Sequence, residues 1–333
     1  ATLAAGPPMG EAVEAIRAQV AGLAVPPGLS LYFGGEYEEQ QKAAADFRLS
    51  LLIALVLMVV GICIKMAIFP LHGWLPDSYT FAPSASSALI APIGTKVASY
   101  VLIRMLFFVY GVDLVSREIP VLTILGWLAA VGIIYGSILA IAQTELKRML
   151  AYSSIAQVGY IGLGISMANP LGFIGAVLHV VNHAVMKACL FLIAGTLRLH
   201  VGHSDISRFD NSYRVKMPWT MAAFTVAAIS MIGLPPLAGF FSKWYLALSV
   251  IENSQWIFLA VILVSSLLNA VYFFRIIEKV YLRSPSPSDD TPGEEEDVPF
   301  ASGEPGPSML IPVMVFAAAL LLLGLFNAFI VTV

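Results

Sequence analysis

The sequence predicts an all-α polytopic membrane protein of about eight transmembrane helices, two of them discontinuous. Three observations carry that prediction. Of the 333 residues, 59% are hydrophobic and only 12% are charged, against about 25% charged in soluble domains. Apolar runs recur at lengths near the roughly 20 residues that a helix needs to cross a bilayer. Two of those runs are interrupted by prolines, at Pro70 and at Pro235-Pro236, which remove a backbone donor and break a helix.

The elements follow in order. Residues 1–47 read as an extracytoplasmic segment: "GEAVEAIRAQVAGL" spaces its apolar residues as a helix does, and "PPGLSLYFGGEYEEQQ" reads as a turn, a short strand and a polar helix start. Spans are expected at 48–70, 84–108, 119–143, 150–167, 171–197, 217–250, 254–281 and 309–331. The first ends at Pro70 in "IFPLHGWLP", and the sixth is interrupted by Pro235, Pro236 and Gly239 in "GLPPLAGFFSK". A transmembrane core is thus expected over 48–283 and a C-terminal transmembrane helix within 309–333. Between them, residues 284–308 are Pro-, Ser- and acid-rich; such a composition cannot bury a core and reads as a disordered loop. Lys147 and Arg148, then Arg198, Arg208, Arg214 and Lys216, then Arg275, Lys279 and Arg283 fall on one side if the first span runs outside to inside. The positive-inside rule makes that side, and the acidic loop, cytoplasmic, with the N-terminal segment outside an inner membrane.

Composition also narrows function. The net charge is −3 with no basic block, so nucleic acid is not an expected partner. Cys63 and Cys189 lie in apolar runs and offer neither a disulfide framework nor metal spacing. No Gly-rich phosphate loop, catalytic triad or cofactor motif is evident, so neither a cofactor nor redox chemistry of its own is expected.

The informative residues are polar ones inside spans. Lys65 sits before Pro70, Lys96 is central in the second span, His179, His183 and Lys187 recur every four residues on one face of the fifth, and Lys243 follows the break in the sixth. A charged side chain at mid-bilayer costs at least about 2.5–3.5 kcal/mol. Near a helix end a lysine can snorkel to the interface, a reading open to Lys65, Lys187 and Lys243. A lone membrane histidine often serves as a hydrogen-bond partner between helices. A metal site through His179, His183, His200 and His203 lacks a carboxylate or cysteine at suitable spacing. The remaining reading is a proton relay: burial penalises the charged form of a lysine, and neutral lysine, histidine and trapped water then pass protons along a chain. Two lysines at two helix breaks favour transport over packing, because broken helices at membrane depth are tolerated against protein or a water-filled cavity. The moving ion is not fixed by this argument.

"KMAIFPLHGWLPDSYTFAPSASSALI", "TELKRMLAYSSIAQVGY", "VNHAVMKACLFLIAG" and "IGLPPLAGFFSKW" resemble the antiporter-like membrane subunits of respiratory complex I, membrane-bound hydrogenases and Mrp-type Na+/H+ antiporters, over about residues 60–333. "TKV" around Lys96 and "FFSKW" around Lys243 look nearest to the Mrp D-type subunit. The resemblance implies inverted five-helix repeats with broken helices. It implies a proton path through Lys65, Lys96, His179, His183, Lys187 and Lys243, and supporting roles for Asp77 in "WLPD" and for Glu145 and Lys147 in the "LKR" turn, where a topology anchor is an equal reading. It implies partner membrane subunits, with H+ as the transported ion and Na+ left open. That family begins with further helices, one bearing a glutamate that pairs with the first lysine; no such half precedes Lys65 here, so the fold reads as truncated. Residues 6–59 resemble instead the porter-domain end and following helix of resistance–nodulation–division (RND) heavy-metal exporters, which makes the chain read as a hybrid joined near residue 60. The readings to be separated are a proton-conducting subunit, a non-conducting membrane scaffold, and metal export through the RND-like piece, which would need Glu36, Glu38 and Glu39.

Overall fold

The computed structural model describes residues 9–20, 36–117, 120–284 and 303–332. Helices α1 (Met9–Val20), α2 (Glu36–Met66), α3 (Trp74–Phe81), α4 (Ser84–Ile103), α5 (Val112–Arg117), α6 (Val121–Ile141) and α7 (Leu146–Ser166) are followed by α8 (Pro170–Val201), α9 (Ser212–Lys216), α10 (Pro218–Ile232), α11 (Ala238–Glu252), α12 (Trp256–Leu282), α13 (Pro307–Leu325) and α14 (Asn327–Thr332). The strand expected within 26–35 and residues 285–302 of the loop expected to be disordered over 284–308 lie outside the described residues; the end of that loop is ordered, since Glu304 Oε2 accepts from Thr220 Oγ1 at 2.7 Å and α13 already begins at Pro307. The chain divides into two units, Ala1–Met58 and Val59–Val333. In the first, α1 confirms the helical spacing read from its sequence, and Lys42 pairs with Glu38 one turn away at 2.7 Å.

The eight expected crossings are present as helices. Six are long and apolar enough to span a membrane: α2, α4 with its π-helical extension to Val109, α6, α8, α12 and α13. The fourth crossing, α7, is long enough but less apolar. It lies among protein rather than lipid, with all but three of its residues buried, so it has no need of an apolar exterior. The sixth crossing is the broken pair α10/α11. On α4, by contrast, Leu89, Ile93, Val97 and Val101 are exposed apolar side chains, as a lipid-facing stripe requires.

Both breaks are built as the prolines foretold, with one shift. The first helix ends at Met66 rather than Pro70, because Ala67 turns to φ +64°. The orphaned carbonyl of Ile64 accepts from Ala67 N at 3.1 Å and from Trp74 Nε1 at 2.8 Å. At the second break, Gly239 N donates to Ser230 Oγ at 3.2 Å and Asn182 Nδ2 on α8 donates to Ala238 O at 2.8 Å, so the neighbouring helix holds the gap open.

The basic residues that were grouped from loop positions meet at one end of the Val59–Val333 unit. Leu146 N donates to Ser204 O at 2.9 Å and Ile206 N to Thr144 O at 2.7 Å, joining the link after α6 to the link after α8. Arg275 donates to Ile141 O (2.9 Å) and Gln143 O (2.8 Å), Lys279 to Ile206 O (3.0 Å), and Arg283 to Ser207 O (2.8 Å). Cationic side chains thereby satisfy carbonyls that helix ends leave unpaired.

A buried chain of lysine, histidine and amide side chains

Helices α4, α8 and α11 carry five of the expected path residues into the interior. Lys187 is 0% exposed, Lys96 5% and Lys243 6%, and both His179 and His183 are fully buried. None of the three lysines snorkels. No aspartate or glutamate is buried among the described residues, so hydroxyls and carbonyls receive the lysine protons.

Lys187 Nζ donates to Leu150 O (2.6 Å) and Ser153 Oγ (2.5 Å) on α7. Lys96 Nζ donates to Ala91 O of its own helix at 2.8 Å, beside the proline at 92. Lys243 Nζ, from α11, donates to Met231 O (3.0 Å) and Ile232 O (2.9 Å) at the C-terminus of α10, and lies 4.9 Å from the centre of the Tyr160 ring. The break is what exposes those two carbonyls, and the negative end of the α10 dipole favours a cation there. Sequence and site are thus one device: Pro235 and Pro236 end the ladder, and Lys243 fills it.

The spacing of four on α8 does put His179, His183 and Lys187 on one face. The rings of His179 and His183 stack with centroids 6.0 Å apart. His179 Nδ1 is 2.9 Å from Ser242 Oγ and its Nε2 is 2.9 Å from Gln157 Oε1. Both nitrogens of His183 lack a protein partner although the ring is fully buried; such groups ordinarily bind ordered water.

Other expected residues lie elsewhere. Lys65 is in the last turn of α2 and exposed, so it is not one of the buried set. Asp77 is an exposed residue of α3, 3.6 Å from Arg148. Glu145 caps α7: it accepts from Arg148 N at 2.6 Å and from Ser204 Oγ at 2.6 Å. Lys147 donates to Thr80 O (3.1 Å) and Ala82 O (2.8 Å), closing the C-terminal end of α3. Replacing Lys147 with methionine is expected to lower thermal stability by a few degrees, since it strips a charged cap from two carbonyls worth about 1–3 kcal/mol. Unchanged melting of the purified variant would show that the cap is dispensable.

Sequence reasoning missed Gln157, Asn269 and Tyr272, all fully buried. The one available signal was their polarity in otherwise apolar spans, which is weak for uncharged side chains.

The family and the fold have known relatives. The family described as "NADH:quinone oxidoreductase/Mrp antiporter, TM" matches residues 30–269. NADH-quinone oxidoreductase subunit N of Desulforudis audaxviator (strain MP104C) is 50% identical over 282 residues, 83% of this chain and 55% of that protein. The D-type subunit of the Na(+)/H(+) antiporter of Alkalihalophilus pseudofirmus (strain ATCC BAA-2126 / JCM 17055 / OF4) is 32% identical over 272 residues, 82% of this chain and 52% of that protein. A chain of the Mrp complex from Dietzia sp. DQ12-45-1b shares the fold with a TM-score of 0.75 at 24% identity, covering 84% of this chain and 57% of its own. The chain therefore spans about half the length of the relatives it matches. The likeness of residues 6–59 to RND exporters finds no support in these comparisons, and the family match itself begins at residue 30, inside that segment. This chain is a multi-pass, antiporter-like membrane subunit and belongs to the NADH:quinone oxidoreductase/Mrp antiporter transmembrane family.

Proposed function

We propose that this chain conducts protons through the membrane along Lys96, Lys187, His183, His179 and Lys243, as one subunit of a multisubunit cation/proton antiporter or a respiratory or hydrogenase complex. One observation carries the reading: three lysines and two histidines are buried together in membrane helices, and no buried carboxylate among the described residues accompanies them. A fixed cation there would be expensive. A lysine that alternates between ammonium and amine avoids a permanent charge and hands on a proton. Water at the unpartnered nitrogens of His183 would bridge the Lys187 side to His179.

In this reading Lys65 serves at the first break as an entry or exit group. Its exposed face is where another part of the assembly would supply an acid. Asp77, Glu145 and Lys147 act by holding helix ends rather than by carrying protons. The basic end of the Val59–Val333 unit faces the cytoplasm of a cell whose inner membrane holds the protein, the acidic stretch of sequence ahead of α13 belongs on that side, and the N-terminal stretch 1–47 belongs outside. Partners are other membrane subunits, and the ions are H+ with Na+ as the open second cargo.

The test is proton uptake by sealed vesicles that contain the chain in its complex. Lys96→Ala and Lys65→Ala are each expected to reduce uptake at least tenfold while the complex stays assembled. Uptake at the parental rate in both would leave a membrane scaffold as the reading. Metal-dependent uptake that required Glu36, Glu38 and Glu39 would point to the exporter alternative.

A further inference from the structure

The hydrogen bonds around His179 form a closed sequence of donors and acceptors that ends at Lys243. An ammonium has only donors. The atom of Asn269 that faces Lys243 Nζ at 3.3 Å is then its amide oxygen, and the same oxygen accepts from Gln157 Nε2 at 3.1 Å. The Asn269 nitrogen in turn donates to Ser265 O (3.3 Å) and Tyr272 Oη (2.9 Å). With its nitrogen given to Asn269, Gln157 presents Oε1 to His179 Nε2 at 2.9 Å. An amide oxygen only accepts, so Nε2 carries the hydrogen, and Nδ1 is a bare acceptor facing Ser242 Oγ at 2.9 Å. His179, Gln157 and Asn269 are fully buried, so protein groups rather than bulk water set this order.

The order reverses when Lys243 loses its proton. A neutral amine has two hydrogens, and Met231 O and Ile232 O take both. Its lone pair then faces Asn269, with the Ser266 hydroxyl at 3.4 Å as a secondary neighbour. Asn269 answers by turning its NH2 toward Lys243 and Gln157, and its oxygen accepts from Tyr272 Oη. Gln157 now presents its oxygen to Asn269 and its NH2 to His179, where Nε2 must be bare and Nδ1 must carry the hydrogen. No proton passes through either amide; each turns by half a revolution, and the imidazole changes tautomer by taking up a proton at Nδ1 and releasing one from Nε2, so that it holds one hydrogen before and after.

We propose that Gln157 and Asn269 are positioning residues that act as a two-state amide relay, coupling the protonation of Lys243 to the tautomer of His179. While Lys243 is charged, His179 can accept a proton only at Nδ1, toward α11. Once Lys243 is neutral, Nε2 is held by the Gln157 NH2 and Nδ1 carries a hydrogen toward Ser242 Oγ, so His179 gives a proton on the α11 side instead of taking one. The relay thus sets whether His179 presents an acceptor or a donor to Ser242 on α11. The inference rests on the proton-conducting reading for its purpose but not for its geometry.

The experiment is 15N solid-state NMR of histidine-labelled full chain in its assembled complex in lipid vesicles, with the His179 signals identified by their loss in His179→Gln. Other ionisable groups facing this pair are Lys96 on α4, Tyr160 on α7, His183 and Lys187 on α8 and Tyr272 on α12. Raising the pH is expected to convert His179 from mostly Nε2–H to mostly Nδ1–H, at least a fivefold inversion of the ratio. In Asn269→Leu, and in the volume-conserving Gln157→Met, the ratio is expected to stop following pH. A wild-type tautomer constant across the pH range, or variants that still invert, would overturn the relay. The proton-conducting reading fails separately, by unchanged uptake in the lysine variants, whatever the tautomer does.

Discussion

Replacing Lys187 with methionine is expected to reduce proton uptake at least tenfold while the complex still assembles. Methionine roughly conserves the volume, so packing changes are small, about 1.5 kcal/mol or less for volume-conserving swaps at such a site. What it removes is the donor to Leu150 O and Ser153 Oγ, at 2.6 and 2.5 Å. Both acceptors keep other partners: Leu150 O accepts from Ser154 Oγ at 3.0 Å, and the Ser153 hydroxyl donates to Leu150 O at 2.9 Å. The loss therefore falls on proton transfer rather than on folding. Lys187→Arg sharpens the test. Arginine keeps the charge but does not release a proton near neutral pH, so it is expected to fail like methionine. Retained uptake with arginine would mean that Lys187 acts as a fixed charge; retained uptake with both would remove it from the path.

Gly239→Ala and Gly324→Ala are expected to produce the largest losses of stability in the membrane core. A Cβ on Gly239 would sit 1.8 Å from Ser230 O, and one on Gly324 would sit 2.0 Å from Pro236 O. These obstacles are backbone atoms that cannot rotate aside. Accommodation requires the halves of the broken helix, or α13 beside them, to move apart, and overpacking on this scale costs about 1–3 kcal/mol or more. The same movement would pull Met231 O and Ile232 O from Lys243. A thermal melt of each purified variant followed by light scattering is expected to show transitions several degrees lower. Wild-type melting in both would mean that the break is looser than its contacts indicate.

The two sets of experiments separate roles that charge alone confuses. Lys147 and Lys243 both donate to carbonyls at a helix end. One reaches the end of α3 near the basic loops, whereas the other lies among buried histidines and amides. Stability is the readout for the first and proton uptake for the second.

Read alone, the order of residues is enough to establish a helical membrane protein, the two places where its helices break, and the lysines and histidines that merit testing. Those features are local: apolar length follows from bilayer thickness, a break follows from proline's missing donor, and a shared face follows from a spacing of four. The remainder came from packing. Whether α7 meets lipid or protein depends on its neighbours, so its modest hydropathy said little. Lys65 and Lys96 look alike as cations in apolar runs, yet one is exposed at the end of α2 and the other is enclosed between helices. Gln157 and Asn269 are 112 residues apart on α7 and α12 and meet only because those helices pack against Lys243 and His179. A hydrogen bond between distant uncharged amides leaves no periodicity or charge signal in the chain, because its energy depends on a separation that only the packed helices fix.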